Sequence, residues 1–100
     1  MTERRPYMKA LEAVDPEFHR LLSSVMDTAN GAGALDTKTK TLITLALDAA
    51  GGHRDGVRNL AQRARSLGAT DAEIAETIRL AFVVAGLPGL LSGLVAFEGR

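Results

Sequence analysis

The chain has 100 residues, enough for one compact domain and too few for two. Lys plus Arg number 12 and Asp plus Glu number 12, so the formal net charge is zero. That excludes the basic excess a phosphate backbone demands, and it excludes a polybasic anchor or an acidic tail. There is no cysteine, which removes disulfides, thiolate zinc sites, iron–sulfur clusters and thiol redox steps from the chain's own chemistry. Absence of cysteine fits a reducing cytoplasm. The segment Met1 to Pro6 has charges but no apolar stretch after them, so no signal peptide is expected. Only 4% of residues are aromatic against 46% apolar, so the core is aliphatic. A domain this small buries a modest share of its surface, which favours oligomerisation.

Gly, Pro and capping residues divide the chain into about five helices. Met8 to Val14 reads as a short helix or turn. Asp15-Pro16-Glu17 starts a second helix, with Asp as N-cap and Pro at the first helical position. Phe18, Leu21, Leu22, Val25 and Met26 give it one apolar face, and Asn30-Gly31-Ala32-Gly33 ends it. Asp36 or Thr37 caps a third helix, apolar almost all round and therefore expected to be central and buried. Lys38 and Lys40 sit in its first turn, against the helix dipole, so a partner elsewhere is expected to hold them. Gly51-Gly52 stops it. A fourth helix covers about Arg54 to Leu67, with Gly68 in the left-handed position past its end. Thr70-Asp71-Ala72-Glu73 is a capping box that opens the next helix. Gly86-Leu87-Pro88-Gly89 breaks that helix, and a last one runs from about Leu90 to Phe97. Met8, Phe18, Met26 and Phe82 read as core. No strand-length alternation occurs, so the expected fold is an all-α compact bundle in a single domain over residues 1–100.

Leu80 to Phe97 carries no charge over 18 residues, the lower limit for a membrane span. Gly86, Pro88 and Gly89 interrupt it, so it reads instead as two helices packed in a core or a subunit interface, and no membrane partner is expected. Ala85, Gly89 and Gly93 recur every four residues and allow close helix approach. On an interface reading, Gly89→Leu splits the assembly.

Ala34-Leu35-Asp36-Thr37-Lys38-Thr39-Lys40-Thr41-Leu42-Ile43, the small-residue helix after it, and Leu67-Gly68-Ala69-Thr70-Asp71-Ala72-Glu73-Ile74 together resemble the carboxymuconolactone decarboxylase family, which includes the alkylhydroperoxidase D-like proteins. The resemblance covers about residues 34–93. It implies an all-helical subunit that assembles as a homo-oligomer, commonly a trimer or hexamer. It also implies where the chemistry of the peroxidase branch would lie. The two cysteines fall on His53 and Gly56, the histidine on Leu60 and the relay glutamate on Thr41, so all four are replaced. A thiol peroxidase mechanism is thereby excluded for this chain acting alone. The decarboxylase branch keeps the histidine that is here Leu60, so its activity is expected to be lost or altered too.

The polar cluster His53-Arg54-Asp55 lies where the family places its site. His53 at a helix N-terminus feels the positive end of the dipole, which favours neutral imidazole. Neutral imidazole is a general base, and Asp48 or Asp55 could orient it. His53 and Asp55 are thus the candidate catalytic residues. Arg54 and Arg58, on one side of the fourth helix with Arg65, are candidates for holding a carboxylate or phosphate of a small anionic ligand. The alternative is that this arginine row is solvated and paired with Asp55, Asp71 or a neighbouring subunit. His19 and His53 are on different helices and no spacing indicates a metal, so neither metal nor cofactor is expected. Three function classes remain, the first two favoured: an enzyme or binder of a small anion near His53, and a non-catalytic oligomeric scaffold. A membrane-associated protein using Leu80–Phe97 is a third.

Overall fold

The computed structural model describes residues 6–99. The N-terminal stretch read above for a signal peptide is therefore almost wholly outside the described residues. Among the described residues there are five α-helices and no strand: α1 (Pro6–Val14), α2 (Pro16–Asn30), α3 (Thr37–Ala50), α4 (Arg54–Ser66) and α5 (Asp71–Gly93), followed by a 3-10 turn at Leu94–Phe97. They form two compact units, Met1–Ala32 and Gly33–Arg100.

The first unit is a hairpin of α1 against α2. Asp15 caps α2 by accepting a hydrogen bond from the Phe18 amide at 3.1 Å, and Pro16 occupies the first turn, where its missing N–H costs nothing. No residue of α2 is buried. Of the residues read as core, Met8 is buried, whereas Phe18 and, in the second unit, Phe82 are exposed. Helical spacing puts apolar residues on one face but does not supply what covers that face.

In the second unit α3 packs on both α4 and α5. The core is built on Leu45, Ala49, Val57, Ala61, Ile74 and Ile78. The buried hydroxyls of Thr41 and Thr77 donate to carbonyls one turn back in their own helices, each at 2.8 Å, which satisfies them without a tertiary partner. Asp36 caps α3 through the Thr39 amide at 2.7 Å, and this bond draws its carboxyl below the usual range. The Thr70–Glu73 capping box forms in both directions, at 2.9 and 3.1 Å. Lys38 Nζ reaches the same Glu73 carboxylate at 3.1 Å. One carboxylate thus caps α5 and anchors the lysine at the start of α3. α4 ends with Gly68 at φ 97°. Gly68 N–H donates to Arg65 O at 3.0 Å and Ala69 N–H to Ala64 O at 2.9 Å, the Schellman pattern.

Two expectations for this unit are corrected. Although α3 is central, it is not buried all round: Ile43 and Leu47 are exposed, Leu47 by 66%. The last helix begins earlier than Leu90 and ends at Gly93, because the break is at one residue. Gly86 takes φ 71°, ψ −158°, a region essentially restricted to glycine. Pro88 then falls in the first turn of the second limb of α5, where proline is tolerated.

The chain folds back at Gly86. A Cβ on Gly89 would stand 2.8 Å from Ala85 Cβ and 3.1 Å from Ala81 O, and one on Gly93 would stand 2.7 Å from Ile78 Cγ2. The small-residue stripe therefore seats one limb of α5 on the other. Gly89 is an intrachain contact, and Gly89→Leu would disrupt the fold itself rather than report on a subunit interface. By length and composition 71–97 is apolar enough to cross a membrane, but the reversal divides it. The first limb, 71–85, extends only about 22 Å at helical rise, short of a bilayer core of about 30 Å.

Apolar side chains of α5 remain exposed on both limbs: Leu80, Val83, Val84, Leu87 and Leu91, with Leu94 at the start of the 3-10 turn, Val84 by 84%.

Candidate functional site

The site begins with how α3 ends. Gly51 and Gly52 close it in a second Schellman motif, with Gly52 at φ 78°. Gly52 N–H donates to Ala49 O at 3.1 Å and His53 N–H donates to Asp48 O at 2.9 Å. The backbone bond brings His53 back over Asp48, and the side chains then meet: His53 Nδ1 lies 3.1 Å from Asp48 Oδ1. A carboxylate only accepts, so in the neutral imidazole this contact places the hydrogen on Nδ1 and leaves the Nε2 lone pair for chemistry. Asp48 is largely buried, its side chain 19% exposed, whereas the His53 side chain is 68% exposed. The ring lies over Gly51, whose absent Cβ would be 3.0 Å from Cε1. Although His53 holds the N-cap position of α4, its side chain makes no cap bond.

The remaining candidates separate. Asp55 accepts from Arg58 Nη1 at 2.9 Å, whereas His53 meets Asp48, so of the two carboxylates that could orient the imidazole, Asp48 is the one in contact. Arg58 also donates through Nη2 to Glu98 Oε1 at 2.8 Å. Glu98, with Asp55 behind it, holds this guanidinium more firmly protonated than usual. Arg65 donates to Asp71 at 3.1 Å and lies 5.6 Å above the Phe97 ring. The paired reading of the arginine row thus describes Arg58 and Arg65, which tie α4 to the C-terminal segment and to the start of α5. Arg54, beside His53 and exposed, has no ion pair among the described residues.

Glu98 was not singled out from the sequence. It stands 40 positions from Arg58, and no local signal links them. At the other two positions the resemblance marks, Thr41 is buried with its hydroxyl bonded within its own helix, and Leu60 packs against the core. Neither can relay a proton. Among the described residues no group of three or more His, Asp or Glu is gathered to hold a metal ion.

A helical unit with a polar pair at the α3–α4 junction can be set beside known proteins. Residues 16–98 match the carboxymuconolactone decarboxylase family, and the chain belongs to that family. The match extends the likeness from residues 34–93 back to the start of α2. The crystal structure of apo-lpg0406, a carboxymuconolactone decarboxylase family protein from Legionella pneumophila, is 33% identical and superposes with a TM-score of 0.81. The alignment covers 92% of this chain and 82% of that one. The uncharacterized protein MJ1511 of Methanocaldococcus jannaschii is 26% identical over 81 residues, 81% of this chain and 76% of that protein.

Proposed function

We propose that His53, oriented by Asp48, is a general base for a small anionic molecule in a cytoplasmic homo-oligomer, a trimer or hexamer. The carrying observation is the His53–Asp48 contact at 3.1 Å, fixed by the backbone bond between the same two residues. An imidazole whose Nδ1–H is held by a carboxylate presents Nε2 in one orientation, which is what proton transfer from a bound substrate needs. Arg54, next in sequence and without an ion pair among the described residues, is the cation best placed to receive the ligand's negative group. Arg58 contributes only by giving up Asp55 or Glu98. Catalysis of this kind uses no thiol, in keeping with a sequence that has no cysteine, and neither a cofactor nor nucleic acid is needed.

Assembly is supported by the exposed apolar side chains of α5 and the turn after it. Six exposed aliphatic side chains between Leu80 and Leu94 are more than singly scattered surface residues, which favours a partner that covers them. The same side chains favour the second reading, a scaffold without catalysis, because it needs no pocket at His53.

A thermal-shift screen of wild type beside His53→Ala separates the two. The panel holds dicarboxylates, lactones, phosphorylated metabolites and divalent metals. A ligand that binds only the folded state raises the melting temperature. The general-base reading expects a dicarboxylate or lactone that stabilises wild type and not His53→Ala. Identical responses from both proteins across the panel would leave the scaffold.

A further inference from the structure

We propose that Gly56 is a positioning residue for His53: the side chain it lacks is the space in which the Asp48 carboxylate stands. The inference rests on reading the His53–Asp48 pair as the working site. Gly56 is the third residue of α4 and is not among the glycines with positive φ, so its backbone does not require glycine. Inside a helix glycine is a weaker choice than alanine, and local preference therefore does not explain it. Space does. A Cβ built on Gly56 would lie 2.8 Å from Asp48 Cγ and closer still to Oδ2. Oδ2 is buried and has no hydrogen-bond partner among the described residues, so it is lodged against Gly56 by packing while Oδ1 reaches His53.

An aspartate side chain has two rotatable bonds. Any rotation that clears a methyl group at position 56 also moves Oδ1 and breaks the contact to Nδ1. His53 would then lose the acceptor that fixes its tautomer, with no change to His53 or Asp48 themselves. Gly51 performs the matching service on the ring, which lies within 3.0–3.4 Å of its absent Cβ. The imidazole and its carboxylate are thus each accommodated by a glycine.

The test uses the full chain labelled with 15N-histidine and two-bond 1H–15N spectra recorded at a pH where the imidazole is neutral. Two histidines are present, and His53→Gln assigns their signals. Wild type is expected to show His53 protonated at Nδ1 with a bare Nε2, and Asp48→Ala to lose that signature. Gly56→Ala is expected to lose it equally, and the double variant Asp48→Ala/Gly56→Ala to change no further. A wild-type His53 signature in Gly56→Ala, beside its loss in Asp48→Ala, overturns the role given to Gly56. A signature that survives in Asp48→Ala instead overturns the pair on which the proposal rests. Should Gly56→Ala fail to fold, recovery of folding in the double variant supports the proposal, because the carboxylate is what the methyl meets. Failure of both overturns it.

Discussion

Gly93→Ala decides whether α5 doubles back, because two effects of opposite sign compete there. Gly93 has helical dihedrals, φ −65° and ψ −30°. In a straight, uncrowded helix the exchange would stabilise the protein by about 0.5–1 kcal/mol, through backbone entropy and helix propensity. In the folded-back chain the new methyl would sit 2.7 Å from Ile78 Cγ2 and 3.0 Å from Ile78 Cγ1. Ile78 is only 2% exposed and has no room to retreat. Overpacking of this kind costs about 1–3 kcal/mol, so the net expectation is destabilisation of about 1–2 kcal/mol. For a chain of this length that lowers the melting temperature by about 5–10 °C. Thermal melts followed by circular dichroism at fixed protein concentration read it directly. In an Ile78→Ala background the cost of Gly93→Ala should shrink, since the clashing atoms are gone. A melting temperature at or above wild type in the single variant would refute the folded-back arrangement.

Two further outcomes follow from surfaces and charges. Val84→Glu, at a site 84% exposed, should leave the helical spectrum intact, because exposed substitutions usually stay within about 0.5 kcal/mol. Light scattering after gel filtration should nevertheless show a smaller particle, and an unchanged mass would remove this face from the assembly. Glu73 is held below its ordinary value of 4.5 by the Thr70 amide and then by Lys38. A carboxyl depressed in the folded state stabilises fully above about pH 4.5 and loses that contribution as pH falls through its lower folded value. Glu73→Gln should therefore melt lower than wild type at pH 7 and lose less on acidification to pH 3. Parallel acid dependence of the two proteins would count against that carboxylate.

Local signals carried most of the helix boundaries. Asp15, Asp36 and Thr70 each bond an amide three residues on, and Gly68 sits where a left-handed residue must end α4, so four or five residues of sequence suffice to read each one. The break in α5 was legible as a place, since Gly and Pro cluster there, but not as a reversal, which depends on Gly93 meeting Ile78 across the turn. Exposure of Phe18, Phe82 and Leu47 was not legible either, because periodicity identifies a face and not its cover. At the site, the sequence left Asp48 and Asp55 as equal candidates for His53. The choice is made by Gly52 at positive φ, whose turn returns His53 to Asp48. Lys38–Glu73 and Arg58–Glu98 span 35 and 40 positions, beyond any local rule, and they explain why an early lysine and a row of arginines are tolerated.

The most direct test of His53 as a general base is deuterium incorporation into small carbon acids. Lactones and 3-oxo acids are incubated in D2O with wild type, Asp48→Ala or His53→Ala, and loss of the activated C–H signal is followed by 1H NMR. A working base removes that proton and lets solvent deuterium return in its place. Wild type should exchange at least one of these compounds faster than buffer, Asp48→Ala more slowly, and His53→Ala no faster than buffer. Exchange in wild type that matches His53→Ala for every compound would contradict the assignment.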